Sequence, residues 1–135
     1  MSTILLEIVT PERLVLSQDV CMVNVVGTEG AMGILPNHAH LLAALAISEL
    51  RWQMPDGEEG KAALSGGFME VTPSKVSILA EAAELPGELD KDRCLTAMKR
   101  AEERIKDSKL GKTDIDMARA ERSLQRSIIR LKVLG

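Results

Sequence analysis

The sequence predicts an α+β fold: an N-terminal antiparallel β-sandwich or flattened barrel, followed by a C-terminal antiparallel hairpin of two helices. Short segments of alternating hydrophobicity, separated by frequent turn signals, fill the first part of the chain. Longer segments with helical periodicity fill the last part. The composition changes at Leu85-Pro86-Gly87, which predicts a boundary between a β domain, residues 1–86, and a helical domain, residues 87–135.

Turn signals divide the β domain into short strands. Met54-Pro55-Asp56-Gly57 and Pro73-Ser74 predict two hairpins, and Gly66-Gly67 is expected to break or bulge the sheet. Residues 27–42 predict a shaped loop that is anchored at both ends in the core. Helix is an alternative to strand for residues 38–46, where alanine and leucine are abundant. The predicted strands are 3–9, 14–17, 20–26, 41–45, 47–54, 61–65, 68–72 and 75–80.

The helical domain carries its own start and stop signals. Asp90 is a suitable N-cap for a first helix that ends near residues 108–111, where Gly111 can adopt a left-handed conformation. Thr113 or Asp114 is expected to cap a second helix, which runs to about Val133. The apolar stripes are Cys94, Met98, Ala101 and Ile105 in the first helix, and Met117, Ala120, Leu124, Ile128 and Leu131 in the second. Stripes this narrow require that the hairpin docks on the β domain or on a partner.

Length and composition restrict the class of protein. The chain has 135 residues, of which 45% are hydrophobic, so one core can be built, mainly from aliphatic side chains. No apolar run approaches a membrane span, and no signal peptide precedes the first strand, which predicts a cytoplasmic protein. Cys21 and Cys94 are expected to be free thiols. Before Glu88 the chain has four basic and eleven acidic residues; from Glu88 onward it has thirteen basic and nine acidic. The two parts can therefore attract each other.

A glycine-rich stretch is the most informative motif. Gly27, Gly30 and Gly33 precede an Ile-x-Pro-x-His string that ends at His38. The spacing fits neither a dinucleotide-binding fingerprint nor a P-loop. The stretch resembles the signature of the epsilon subunit of F-type ATP synthases, whose mitochondrial equivalent is called delta. The resemblance continues through the strings at residues 65–71 and 76–81 and through the C-terminal helices, so it covers nearly the whole chain.

The resemblance implies a fold, a set of partners and a contact region. The family has an N-terminal β-sandwich, and its glycine-rich region faces the membrane-embedded c-ring and the central stalk. The implied partners are the gamma subunit, the c-ring and the catalytic alpha and beta subunits, with membrane contact only through the complex. The contact residues implied by this likeness are Glu29, Gly30, Ala31, Met32 and His38. This chain departs from the family at Ala31, which is often acidic, and at His40, which is often proline.

Four arginines form the second candidate site. Arg119, Arg122, Arg126 and Arg130 are spaced by three, four and four residues, which places them along one helix face. The face is either simply solvated or seeks carboxylates and phosphates. By resemblance, these four arginines would contact acidic segments of the catalytic subunits when the hairpin is extended, and would thereby inhibit ATP hydrolysis.

The same family likeness implies a nucleotide site. Some bacterial epsilon subunits bind ATP through an Ile/Leu-Asp-x-x-Arg-Ala motif, which Leu89-Asp90-Lys91-Asp92-Arg93-Cys94 matches except at Cys94. A similar string at residues 115–120 lies on the wrong helix and is interpreted as a lookalike. The implied ATP ligands are Glu84, Asp90, Arg93, Arg100, Arg126 and Arg130. ATP would be a regulatory ligand, and no cofactor is required.

These observations predict a non-catalytic rotor subunit on the cytoplasmic face of the bacterial inner membrane. It would couple c-ring rotation to ATP synthesis and restrain hydrolysis through its C-terminal helices. A free-standing nucleotide sensor is the alternative. An enzyme is disfavoured because no acid–base pair is apparent, and His38 and His40 lack further metal ligands. Nucleic-acid binding is disfavoured because acids are mixed among the basic residues and no aromatic platform is present.

Overall fold

The computed structural model describes residues 2–111 and 116–135. Within them, a β-sandwich is followed by two helices, which confirms the predicted fold class. The strands are β1 (Ile4–Val9), β2 (Leu14–Val20), β3 (Met22–Gly27), β4 (Gly30–Ile34), β5 (Leu41–Gln53), β6 (Glu59–Thr72), β7 (Lys75–Ala80) and β8 (Ala83–Glu84). A short 3-10 turn, Pro86–Glu88, leads to the helices α1 (Lys91–Lys109) and α2 (Met117–Leu134).

The strands form one hydrogen-bonded sheet that encloses an aliphatic core. Its order is β2-β1-β7-β6-β5-β3-β4, with β8 paired to β6. All pairs are antiparallel except β1 and β7, which run parallel. In β1, Ile4, Leu6 and Ile8 point into the core, as the alternation of the sequence predicts.

The long pair β5–β6 changes its inward face halfway along. The β6 residues of the central core cluster are even-numbered up to Leu64 and odd-numbered from Met69 onward. The change occurs at Gly66 and Gly67, whose φ angles are 90° and 134°. The prediction allowed a break or a bulge at these glycines. A break is wrong, because β6 runs through them; they provide backbone conformations that other residues rarely adopt.

Two further predictions in this region are wrong. The helical alternative for residues 38–46 fails because β5 runs as a single strand from Leu41 to Gln53 and pairs with β3 and β6. Strand pairing overrides the helix propensity of its alanines. The glycine-rich stretch is also more regular than a loop, because it contains β4, which forms a hairpin with β3.

Asp carboxylates cap both helices. Asp90 accepts a hydrogen bond from the Arg93 amide at 3.1 Å, as predicted, and Gly111 follows α1 with φ 74°. For α2 the N-cap is Asp116, which accepts from the Arg119 amide at 3.1 Å. Thr113 and Asp114, the predicted caps, lie outside the described residues.

Helix α2 packs directly on the sheet, against β5 and β6. Buried small side chains, Cys94 and Ala101 of α1 and Ala120 of α2, accompany close packing of the helices. The predicted stripe of α2 is wrong at Ile128, which is 47% exposed, whereas Ser127 and Val133 are buried. A single apolar stripe describes a helix that packs against one neighbour, but α2 packs against two, α1 and the sheet. None of the described helices is long and apolar enough to cross a membrane.

Candidate functional sites

The β3–β4 hairpin presents four of the five residues predicted to contact a partner. Gly27 and Gly30 face each other across the ladder, so Thr28 and Glu29 form the turn. Gly30 has φ 141°, and the Thr28 amide donates to the Ala44 carbonyl at 3.0 Å. A cleft of about 400 Å³ lies beside this turn. Its lining includes Glu29, Gly30, Ala31 and Met32.

His38 lies apart from that cleft. It follows Asn37, a residue with positive φ (64°) whose amide donates to the Pro73 carbonyl at 2.9 Å. The Nδ1 atom of His38 is 2.7 Å from the Ala39 carbonyl oxygen. The residue before His38 is therefore bonded to the β6–β7 turn, and His38 does not line the cleft at the tip of the β3–β4 hairpin.

An exposed apolar row crosses the outer face of the sheet. The strand register aligns Ala44, Phe68, Leu79, Val9 and Leu14 across β5, β6, β7, β1 and β2. Phe68, Leu79 and Leu14 are 58%, 54% and 55% exposed. Sequence reasoning missed this outer apolar row, although a signal existed. Phe68 and Leu79 are out of phase with the core residues Met69 and Ile78.

A second cleft, of about 610 Å³, lies where the sandwich meets the hairpin. Its lining contains five of the six residues implied for a nucleotide site: Glu84, Asp90, Arg93, Arg100 and Arg130. Arg126, the sixth, does not line it. The antiparallel packing of the helices explains this convergence, because it brings the start of α1 beside the end of α2. The cleft also has the amino end of α1, which favours anions.

An ion pair closes one side of this cleft. Both Nη2 and Nε of Arg130 contact Glu84 Oε1, at 2.5 and 2.6 Å. Glu84 Oε2 is buried and has no hydrogen-bond partner among the described residues. The pair joins the C-terminal half of α2 to β8, so it holds the hairpin against the sandwich.

A second ion pair fixes the connection between sandwich and hairpin. Arg13, in the β1–β2 turn, is 2.6 Å from Glu88 Oε2, while Glu88 Oε1 accepts from the Leu85 amide at 2.9 Å. The hydrogen bond from Arg13, followed by that from Leu85, lowers the pKa of Glu88 below its ordinary value. The same contact with Glu88 raises the pKa of Arg13.

The other three arginines of α2 differ from Arg130 in their exposure and in their ion pairs. Arg119 and Arg122 are exposed, and Arg126 is half-buried. Apart from Arg130, none of the four arginines forms an ion pair within the described part of the chain. The residues that the structure describes contain no group of His, Cys, Asp and Glu side chains suited to a metal ion.

Comparisons with known proteins match both parts of the chain. Residues 3–86 match the beta-sandwich domain of the ATP synthase delta/epsilon chain, and residues 88–135 match its long alpha-helix domain. An ATP synthase epsilon chain of Bacillus velezensis is 45% identical over 135 residues, covering 100% of this chain and 99% of that one. One of Nitratidesulfovibrio vulgaris is 45% identical over 130 residues, or 96% and 94% of the two chains.

A solved structure agrees on the fold. A chain of the mitochondrial ATP synthase of Euglena gracilis superposes with a TM-score of 0.80 at 22% identity. The match covers 96% of this chain and 79% of that one.

Together these features define a class: small subunits in which a β-sandwich carries a docked pair of helices. The chain belongs to the delta/epsilon chain family of ATP synthases. The resemblance inferred from the glycine-rich stretch is thereby confirmed.

Proposed function

We propose that this chain is the non-catalytic epsilon subunit of an F-type ATP synthase, a peripheral part of the rotor. In this role residues 1–86 join the central stalk to the c-ring, and residues 87–135 regulate ATP hydrolysis. The observation that carries the proposal is the exposed apolar row, which the chain's own helices leave uncovered. The names of the relatives, ATP synthase epsilon chains, support the same assignment.

The row has the properties of a protein-docking surface. Three of its side chains are more than half exposed, although aliphatic and aromatic residues of this size are usually buried. A cleft of about 390 Å³ lies along it, lined in part by Val9, Pro11, Phe68 and Leu79. Contiguous apolar surface on a small protein usually marks an interface. We assign the row to the gamma subunit of the stalk, and the tip of the β3–β4 hairpin to the c-ring.

A charge placed in the row tests the assignment. Phe68→Asp combined with Leu79→Glu should weaken binding to gamma by at least about 100-fold, because two central apolar anchors are lost. Leu110→Glu is the control, since Leu110 is equally exposed but lies at the end of α1. The measurement is co-purification with gamma, followed by titration. If the wild-type chain elutes without gamma, the alternative of a free-standing nucleotide sensor is favoured instead.

The hairpin supplies the regulatory half of the proposal. In the docked arrangement Arg119 and Arg122 face solvent, so they remain available for carboxylates elsewhere in the complex. Release of α2 from the sheet would let the hairpin extend along the stalk. The four arginines of α2 would then contact acidic segments of the alpha and beta subunits and oppose rotation in the direction of hydrolysis.

ATP is proposed as the ligand that favours the docked hairpin. Five of the six predicted ligands line one cleft, and because they come from the sandwich and from both helices, they share it only while the hairpin is docked. A ligand that requires this arrangement shifts the equilibrium towards it. Arg93 and Arg100 are suited to the phosphates, and Glu84 can accept from adenine or ribose groups.

Calorimetry with ATP tests the nucleotide site. Arg93→Ala should reduce affinity by at least about tenfold, because a charge-assisted contact to phosphate is lost. Lys99→Ala serves as the control, since Lys99 is an exposed cation of α1 that does not line the cleft. Equal heats for wild type and Arg93→Ala would remove ATP from the proposal and leave the rotor assignment intact.

A further inference from the structure

Glu49 is a buried carboxylate in the interface between α2 and the sheet. Register pairs Glu49 of β5 with Ala63 of β6, and Ala63 with Glu84 of β8. Paired residues share a face of the sheet, so the three side chains form a row beneath the end of α2. The small side chain of Ala63 lets the helix approach between the two carboxylates.

The two carboxylates differ in their partners. Glu84 receives its cation from the helix, through Arg130. Glu49 receives its cation from its own strand, because its Oε1 contacts Nε of Arg51 two residues away. The Glu49–Arg51 pair does not involve α2, so it persists whether or not the helix is docked.

Docking of α2 removes water from Glu49 without replacing it. The Glu49 side chain is 6% exposed, and its Oε2 is buried without a hydrogen-bond partner in the part of the chain that the structure describes. It lines a cleft of about 620 Å³ together with Ile129 and Lys132 of α2. Lys132 nevertheless forms no ion pair with any residue that the structure describes. A buried acceptor without a donor raises the free energy of the state that buries it.

We infer that Glu49 is a release element, which weakens the docked state of the hairpin so that α2 can leave the sheet. Its carboxylate is hydrated when α2 is away and is only half satisfied when α2 is docked. Glu84 acts in the opposite sense: its Oε2 is also buried without a partner among the described residues, but its Oε1 gains the pair with Arg130 on docking. The equilibrium between the docked and the undocked hairpin is therefore set by Glu49 and Glu84, the two carboxylates on either side of Ala63.

The inference rests on the proposed function only for the biological role of undocking. It is tested on the isolated full-length chain by amide hydrogen exchange. Glu49→Gln and Glu49→Leu should slow exchange of the amides at residues 128–134 by about five- to tenfold, because docking no longer buries a carboxylate oxygen that lacks a donor. Glu84→Gln should speed exchange at the same amides, since it breaks the pair with Arg130. Glu121→Gln, at an exposed position of α2, should leave it unchanged within about twofold.

Core amides of β6 and β7 report global unfolding and must stay protected in every variant. Faster or unchanged exchange in both Glu49 variants, with the core intact, overturns the inference. If Glu49→Gln and Lys132→Met both speed exchange and the double variant adds nothing further, Glu49 anchors the helix through Lys132, which also overturns the inference. An inhibition assay with the assembled enzyme is separate. Its failure would refute the proposed regulation while leaving the exchange result standing.

Discussion

Gly67 is a residue whose backbone conformation the fold requires. Its φ is 134°, and a Cβ atom there would lie 2.1 Å from the Leu79 carbonyl oxygen. Both features belong to the point where β5–β6 changes its inward face. The neighbouring backbone belongs to β7 and cannot rotate away as a side chain could.

Gly67→Ala is therefore expected to destabilise the chain by about 3 kcal/mol or more, through strain and a backbone clash. Gly87→Ala is the matched control. Gly87 has open space around it and lies in the turn before α1, so we expect a change within about 0.5 kcal/mol. Urea unfolding followed by fluorescence of Trp52, the only tryptophan, measures both. Equal stabilities would show that the backbone adjusts at Gly67.

Glu88 makes the stability of the chain depend on pH. Its pKa is lowered in the folded chain by Arg13 and by the Leu85 amide. Stabilisation from a lowered carboxyl pKa is present above the pKa of the unfolded chain, about 4.3 for Glu, and is lost as pH falls through the folded value. Glu88→Gln should thus be less stable than wild type at pH 7, and the difference should shrink as pH falls below about 4.3 and through the lower pKa of the folded chain.

Urea titrations at pH 7 and at pH 3.5 measure the difference in unfolding midpoint. Glu121→Gln is the control for the loss of one acidic charge, because Glu121 is exposed and forms no ion pair among the described residues. A Glu88→Gln difference that stays constant with pH would mean that the Arg13 contact does not contribute to stability.

Among the motifs, the Asp-x-x-Arg strings show how far residue patterns can mislead. Asp90-Lys91-Asp92-Arg93 and Asp116-Met117-Ala118-Arg119 have the same local geometry, in which the Asp carboxylate accepts from the Arg amide at a helix start. Only the first string lies at the cleft. The pattern reports a helix cap in both places, and tertiary position distinguishes them.

Among the helices and strands, the features that depend on the periodicity of the sequence could be predicted. The features that depend on which elements are adjacent in space could not. β7 was placed at its observed limits, and β1 and α1 within one or two residues. β4 was missed because its pairing with β3 compensates for its two glycines, Gly30 and Gly33. The exposed face of Ile128 was missed because a single helical stripe cannot describe a helix with two neighbours. Five of the six predicted nucleotide ligands converge, whereas Arg126 does not, since its position depends on how α2 lies on the sheet.

The docking of α2 depends on the small side chain of Ala63. It is 3% exposed and lies between Glu49 and Glu84 beneath the helix. Ala63→Leu should push α2 off the sheet while the sandwich stays folded, because overpacking costs about 1–3 kcal/mol and undocking relieves it. Limited trypsin digestion should then cleave after Arg126 and Arg130 at least about fivefold faster.

Ala44→Leu is the control for the enlarged side chain, since Ala44 is an exposed alanine on the same strand pair. Its cleavage rate should match wild type. Faster cleavage within the strands of Ala63→Leu would indicate that the sandwich itself had unfolded, contrary to the expectation that docking alone is sensitive.

In the whole molecule, the acidic sandwich and the basic hairpin have different roles. The acidic sandwich holds the basic hairpin through Glu84 and Arg130, yet most of the positive charge of α2 stays free for another acidic surface. A basic hairpin that is held weakly by the acidic charge of its own sandwich can also be attracted by acidic charge on a partner. Regulation would then be a competition between two acidic surfaces for one basic helix.

This competition predicts the effect of removing the hairpin. A chain that ends at Gly87 should still assemble with gamma, because the exposed apolar row and the β3–β4 hairpin lie in residues 1–86. ATP hydrolysis by the reconstituted head should rise by about fivefold or more, in the range of ordinary allosteric coupling. The double substitution of Arg119→Glu and Arg122→Glu should reproduce part of this rise, since both side chains are exposed and form no ion pair with any described residue. Lys91→Glu with Lys99→Glu, which reverses two exposed charges on α1, is the control and should leave hydrolysis unchanged. If truncation leaves hydrolysis unchanged in an assembled head, the hairpin does not inhibit, and its basic face must serve another purpose.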